Sequence, residues 1–247
     1  MIRGLYTSAT GMLATQMQSE VIGDNVVNVK TPGFKEQLAS SISFPSKLIQ
    51  RMGGNQASEV VALGGMGMGL GVDRLALSNV QGSLETTDVN TDLALTSLGY
   101  FTVQTPAGER YTRNGHFQRD ANGNLQTPDG FAVLGGNGPI GPLSPDFSVS
   151  SDGTISDKGL ILDRLRIVEI QEDALQREGQ SLYSASQPVQ VSVGAQVRQG
   201  AVESSNVELS GQLIKMMSVM KAYEANQRVI QTQDEMLGKA VNEVGKI

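Results

Sequence analysis

The chain has 247 residues, with no cysteine, no tryptophan and a single histidine, and only 4% of it is aromatic. Without cysteine there is no thiol catalysis, no disulfide and no cysteine-based zinc site. The one histidine, His116, has no second histidine to share a metal with, and a Ser-His-Asp triad would have to use it. It directly follows Asn114-Gly115, a turn dipeptide, and reads as a surface turn residue rather than a general base. Positive charge is in deficit: 19 Lys and Arg face 25 Asp and Glu, for a net charge of -6. No basic cluster stands out, which argues against a nucleic-acid partner. There is no run of about 18 apolar residues, so no membrane-spanning helix is expected. Arg3, Thr7, Ser8, Thr10, Thr15 and Gln16 interrupt every apolar run near the start, so no signal-peptide core is expected either.

What is abundant is glycine, 29 residues, with 8 prolines. That composition predicts many turns and short strands. At the N-terminus the apolar positions Ile2, Leu5, Ala9 and Met12 are spaced 3, 4 and 3 apart, then continue weakly to Ile22, Val26 and Val29. This predicts a helix with a narrow heptad-like seam, stopped by Thr31-Pro32-Gly33. Gly4 and Gly11 share a face and are expected to let another backbone come close. Near the C-terminus Leu209, Leu213, Met216, Met220, Tyr223, Gln227, Ile230, Asp234, Leu237, Val241 and Val244 alternate in steps of 4 and 3. This predicts a long helix with a coiled-coil seam that is polar at Gln227 and Asp234, N-capped from Ser204, Ser205 or Asn206. A surface helix packed on its own globular core would show similar spacing, but usually with a wider apolar face.

Between the helices the period changes. Residues 35–80, with the run Gly64 to Gly71, are expected to be an extended linker carrying a strand or two, such as Val72 to Leu77. Residues 81–205 read as β. Asn114-Gly115, Asn122-Gly123 and Asp129-Gly130 lie 8 and 7 residues apart, as in a meander of short strands. The sequence-level layout is therefore helix, β body, helix, an α+β chain.

Motifs for chemistry fail on inspection. Gly136 to Gly141 matches G-x-G-x-x-G, but Pro139 and Pro142 forbid the helix a dinucleotide needs. Asp120 to Asn124 imitates a calcium loop, yet Gly123 comes too early and no glutamate closes it. Glu172 and Asp173 are neighbours that solvate a face rather than pair as acid and base. No enzyme, cofactor, metal or small-molecule substrate is expected.

The terminal segments carry a family likeness. TSATGMLATQMQSEVIGDNVVNVKTPGFK, residues 7–35, resembles the N-terminal motif of the bacterial flagellar rod and hook axial proteins, in Gly11-Met12, Asn25, Asn28 and Thr31 to Lys35. Residues 202–236 resemble the second motif of that family, in Ser205-Asn206-Val207, Ala222-Tyr223-Glu224, Asn226 and Asp234-Glu235-Met236. Gly99 to Val103 and Tyr111 to Gly115 are similar to its β-domain signature. Departures are Asp24, where the family usually has Asn, and Gly23 and Val27, where it has Ala.

The resemblance implies an axial subunit of the flagellar basal body, and the compact length with Val133 to Ile140 leans toward the proximal over the distal rod. Residues 1–34 with 206–247 would pair as an inner coiled-coil domain, and 81–205 would form an outer β domain. The implied partners are further copies, other rod and hook proteins, and the flagellar type III export apparatus. Such subunits leave the cell without a cleaved signal, lie in the periplasm where an outer membrane exists, and order their terminal segments on assembly. The residues expected to make assembly contacts are Leu5, Ala9, Gly11, Met12, Ile22, Asn25, Val26, Asn28, Pro32, Gly33 and Phe34. From the second helix they are Asn206, Val207, Leu213, Met216, Met220, Tyr223, Glu224, Asn226, Gln227, Ile230, Asp234 and Leu237.

Overall fold

A helix α1 (Ile2–Val27) opens the chain. It ends where Thr31 N–H donates to the Asn28 carbonyl at 3.1 Å, closing a turn before Pro32, which has no N–H to continue a helix. The computed structural model describes residues 2–51, 61–171, 174–179, 181–192 and 194–244. Glu172 and Asp173 lie outside these.

After α1 come β1 (Gln37–Ser43), β2 (Lys47–Arg51), β3 (Val61–Met66) and β4 (Leu70–Leu77), paired as β1 with β4 and β2 with β3. The segment expected to be mainly linker is thus largely two strand pairs. Short strands follow: β5 (Leu84–Thr86), β6 (Leu93–Leu95), β7 (Tyr100–Thr105), β8 (Gly108–Thr112), β9 (Gln118–Arg119), β10 (Leu125–Gln126) and β11 (Ala132–Val133). Then come β12 (Ser148–Val149), β13 (Thr154–Asp157), β14 (Leu160–Arg164), β15 (Ile167–Glu169), β16 (Leu175–Glu178), β17 (Leu182–Ala185), β18 (Gln190–Val191), β19 (Val197–Gln199) and β20 (Ala201–Glu203). A second helix, α2 (Leu209–Val244), closes the order. The chain is α+β, with a helix at each end and a β-rich middle.

Contacts group the described residues into two compact units. One takes them from 1–24, 37–76 and 210–247, the other from 25–36 and 77–209. The division departs from the sequence-based boundaries at 34, 80 and 206. The end of α1 and its exit loop belong with the β body, and the strands of 37–76 with the helices.

Within the β unit, β7 is the central strand. It pairs with β8, β11 and β15. Its two faces feed two clusters, as the period of 2 dictates. Phe101 and Val103 join Leu93, Leu95, Phe117, Leu125, Ile155 and Ile167, while Tyr100 joins Leu77, Tyr111, Val168 and Tyr183. Phe101 and Phe117 meet edge to face at 5.2 Å, a geometry the aromatic quadrupole favours. The expected meander is present in part: β9, β10 and β11 pair in order through turns at Gly123 and Gly130, both with positive φ. Asn114-Gly115 is not a two-residue hairpin. Asn114 Oδ1 accepts the His116 N–H at 2.9 Å in a side-chain-closed turn.

Residues 136–141 open no helix, as expected from the prolines. Asp120 accepts backbone N–H bonds from Asn122 and Asn124 and so closes a turn.

Candidate assembly site

Within the helical unit α1 and α2 run antiparallel. A Cβ built on Gly4 would lie 2.2 Å from the Gln233 carboxamide, and one on Gly11 would lie 2.9 Å from that of Asn226. Further along, the Ser19 hydroxyl lies 3.2 Å from the Met216 sulfur. The glycines do admit a neighbour, but it is a polar side chain and not a backbone. Gly4 and Gly11 are one heptad apart, and so are Asn226 and Gln233. Each amide fills the gap that a missing side chain leaves.

The seam of α2 is displaced from the one read in the sequence. Met216, Ile230 and Leu237 are half-buried as the spacing implies. The alternate positions fall one residue earlier, at Gln212, Val219, Asn226 and Gln233, so Leu213, Met220, Gln227 and Asp234 are exposed. The physical reason is on α1. Its inward positions are Gly4, Ser8, Gly11 and Ala14, which leave room for amides and little apolar surface to bury. Among the described residues of this unit only Ala14, Val21 and Ile22 are buried apolar side chains. Large apolar side chains stand outward instead: Tyr6, Leu13 and Met17 on α1, and Leu213, Ile214 (69% exposed), Met217 and Met220 on α2. Tyr223 and Glu224 are exposed as well, while Leu5, Ala9 and Met12 are half-buried.

The other signature residues fall in the β unit. Asn25, Asn28, Gly33, Phe34 and Val207 are buried there, and Val26, Pro32 and Asn206 are half-buried. Gly33 has φ +68°, and its Cα faces the Arg113–Asn114 backbone so closely that a Cβ would come within 2.3 Å of Asn114 N. Phe34 is fully buried, with the Arg177 guanidinium 4.8 Å from its ring centroid. Lys35 Nζ donates to Glu203 Oε1 at 2.7 Å and to the Val80 carbonyl at 2.9 Å. Arg113 Nε donates to Glu203 Oε2 at 2.5 Å, and the same guanidinium donates to the carbonyls of Gly99 and Ser97. Burial pushes the Lys35 ammonium below the ordinary lysine range, against the pull of Glu203.

Asn206 does not cap α2. Its Oδ1 accepts the Glu36 N–H at 2.6 Å, and its Nδ2 donates to the carbonyls of Ser78 and Val80. Together with the Gly33 N–H bond to the Glu203 carbonyl at 2.7 Å, these contacts lay 31–36, 78–82 and 203–206 side by side. Lys35 and Arg113 stand in the quoted signatures. Glu203 stands within the likeness of 202–236, yet none of the three is among the residues expected to make contacts, since a lone charge in each segment does not show its distant partners.

A cavity of about 390 Å³ in this unit has a mixed lining that includes Lys35, Arg113, Glu169, Tyr100, Leu98 and Gln171. His116 is elsewhere, with Nδ1 2.7 Å from Asp92 Oδ1 and its ring about half exposed. No group of three or more metal-ligating side chains occurs among the described residues.

Three family models match in chain order: flagella basal body rod protein over residues 5–35, flagellar hook protein FlgE/F/G D1 domain over 94–157, and flagellar basal body rod FlgEFG protein C-terminal over 198–243. The flagellar basal-body rod protein FlgG of Buchnera aphidicola from Acyrthosiphon pisum is 33% identical, over 97% of this chain and 98% of its own. The flagellar hook-basal body complex protein FlhO of Bacillus subtilis is 31% identical, over the whole of both. The flagellar basal-body rod protein FlgF of Caulobacter vibrioides is 29% identical, also end to end. With likeness of this extent running through both terminal helices and the β body, the chain belongs to the flagellar basal-body rod protein family, whose members are structural subunits of the basal body and not enzymes.

Proposed function

We propose that the chain builds the rod by polymerising through its terminal helices, with copies of itself and other rod and hook proteins as neighbours. The observation that carries this is the outward apolar surface of the helix pair, from Tyr6, Leu13 and Met17 to Leu213, Ile214, Met217 and Met220. Large apolar side chains left exposed along a helix mark an interaction site. The pair buries too few large side chains to be stable alone, so neighbours supply the remainder. Helices α1 and α2 act as a coiled-coil layer, with the Gly4–Gln233 and Gly11–Asn226 contacts fixing register at some cost in stability. Contacts that join unlike faces and do not close by rotation produce an open helical tube, the form a torque-carrying rod requires. The assembled subunit lies outside the cytoplasm, reached through the flagellar export apparatus without a cleaved signal. Chain length and Val133 to Ile140 favour the proximal position, while identities of 33% to FlgG and 29% to FlgF do not separate proximal from distal.

The test is the double variant Ile214→Glu, Met217→Glu. The β unit should unfold as in the unaltered chain, while sedimentable polymer and swimming are lost. Polymer formed at the unaltered yield would refute the assignment of this face. A stable one-to-one complex with a single partner and no polymer would instead show an adaptor.

A further inference from the structure

One carboxylate, 1% exposed, sits between two buried cations, one from the start of the chain and one from its middle. Lys35 lies 168 positions before Glu203, and Arg113 lies 90 before it. Each of the three segments matched by the family models contributes one member: Lys35 from 5–35, Arg113 from 94–157 and Glu203 from 198–243. Glu203 also accepts the Gly82 N–H on Oε1 at 3.0 Å, and its own carbonyl accepts the Gly33 N–H. The residue therefore holds the exit loop on both sides of Phe34, by main chain at Gly33 and by side chain at Lys35.

We propose that Glu203 is a positioning residue: its charge sets the exit of α1 and the lead-in to α2 side by side on the β body in the free subunit, before any neighbour binds. The two cations extend this hold. Lys35 ties the cluster to the Val80 carbonyl and Arg113 ties it to those of Ser97 and Gly99. Removing the carboxylate charge leaves two buried cations facing each other, whereas removing Lys35 leaves the Arg113–Glu203 pair intact. Breaking a buried ion pair from one side is far more damaging than its net worth suggests. The predicted signature is an asymmetry: Glu203→Gln, though equal in shape, loosens the roots more than Lys35→Met. A role in packing alone predicts the reverse order.

The consequence for assembly rests on the proposed function, but the test does not, since it uses the full free chain. Amide hydrogen exchange is followed by mass spectrometry over peptides covering 29–37 and 203–208, with β7 as internal reference. Lys35→Met should speed exchange in 29–37 by about tenfold, and Glu203→Gln should speed both root peptides by about a hundredfold. In both variants β7 should stay protected. The proposal is overturned if Lys35→Met leaves 29–37 within about twofold of the unaltered chain. It is overturned equally if Glu203→Gln releases β7 as much as the roots. Should Glu203→Gln fail to fold, the Lys35→Met result decides alone.

Discussion

Replacing Gly33 by alanine should lower the stability of the β unit by about 2–5 kcal/mol, the sum of two independent penalties. The backbone at φ +68° is left-handed, where an L residue costs roughly 1–2 kcal/mol. The new Cβ would also lie 2.3 Å from Asn114 N, 2.4 Å from Arg113 C and 2.5 Å from Arg113 O. All three are backbone atoms and cannot rotate away, so overpacking adds about 1–3 kcal/mol. Gly23→Ala is the matched control. It lies inside α1 with nothing within 4 Å of its Cβ position, and alanine there is favoured by up to about 1 kcal/mol. Thermal unfolding followed by tyrosine fluorescence reads the β unit, where Tyr100, Tyr111 and Tyr183 are buried. At about 2–4 °C per kcal/mol, Gly33→Ala should melt roughly 4–20 °C lower. Gly23→Ala should leave that transition in place and raise helicity by circular dichroism. A Gly33→Ala midpoint within about 2 °C of the unaltered chain would refute the reading of the exit loop.

Burial pushes the Tyr183 phenol up to about 12 from 10.0, against an opposing pull from the nearby Lys35 backbone N–H. A raised folded value favours the neutral form, so its contribution is whole below pH 10 and fades between 10 and 12, by roughly 2–3 kcal/mol in all. Tyr183→Phe should flatten that alkaline loss in urea titrations. Lys35 acts oppositely: its lowered value makes its share of stability rise with pH up to 10.5, and Lys35→Met should remove that rise. Phe101→Ala, which empties a fully buried site against Phe117, should cost about 3–5 kcal/mol in urea unfolding. The Ser144 hydroxyl and N–H hold the Asp157 carboxyl below its ordinary 3.8, so Ser144→Ala should move its NMR titration upward. The stability Asp157 contributes is present above 3.8 and is lost as pH falls through the lowered value.

The two helices and the β middle were legible because each has its own period, 3.5 at the ends and 2 between. The phase of the α2 seam was not. Leu213 and Met220 are the more apolar choice, and apolar spacing alone selects them. The structure selects Gln212, Val219, Asn226 and Gln233 because the facing surface of α1 is made of Gly4, Ser8, Gly11 and Ala14. A partner helix decides phase, and a single-helix pattern does not contain the partner. The exit motif was legible as a stop and as a family sign. Its physical role was hidden, because Gly33, Phe34 and Lys35 act on Asn114, Arg177 and Glu203, all far away in sequence. Within 37–76, β4 was legible as Val72 to Leu77, whereas Gly64 and Gly65 concealed β3, because glycine weakens a strand signal.

The order in which the chain is made gives the seat of Lys35 a further meaning. A polypeptide emerges N-terminus first, so Gly33, Phe34 and Lys35 leave the ribosome 168 residues before Glu203 exists to receive them. Helix α1 waits longer still, until the last stretch from Ser210 brings Met216, Asn226 and Gln233. Throughout that interval α1 lacks its partner helix and has only residues of 37–76 for neighbours, such as Met66 beside Arg3. A strongly apolar helix in that position would invite premature aggregation. Its glycines, serines and threonines then serve the nascent chain as well as the finished fold: they let the first element made be the last one satisfied.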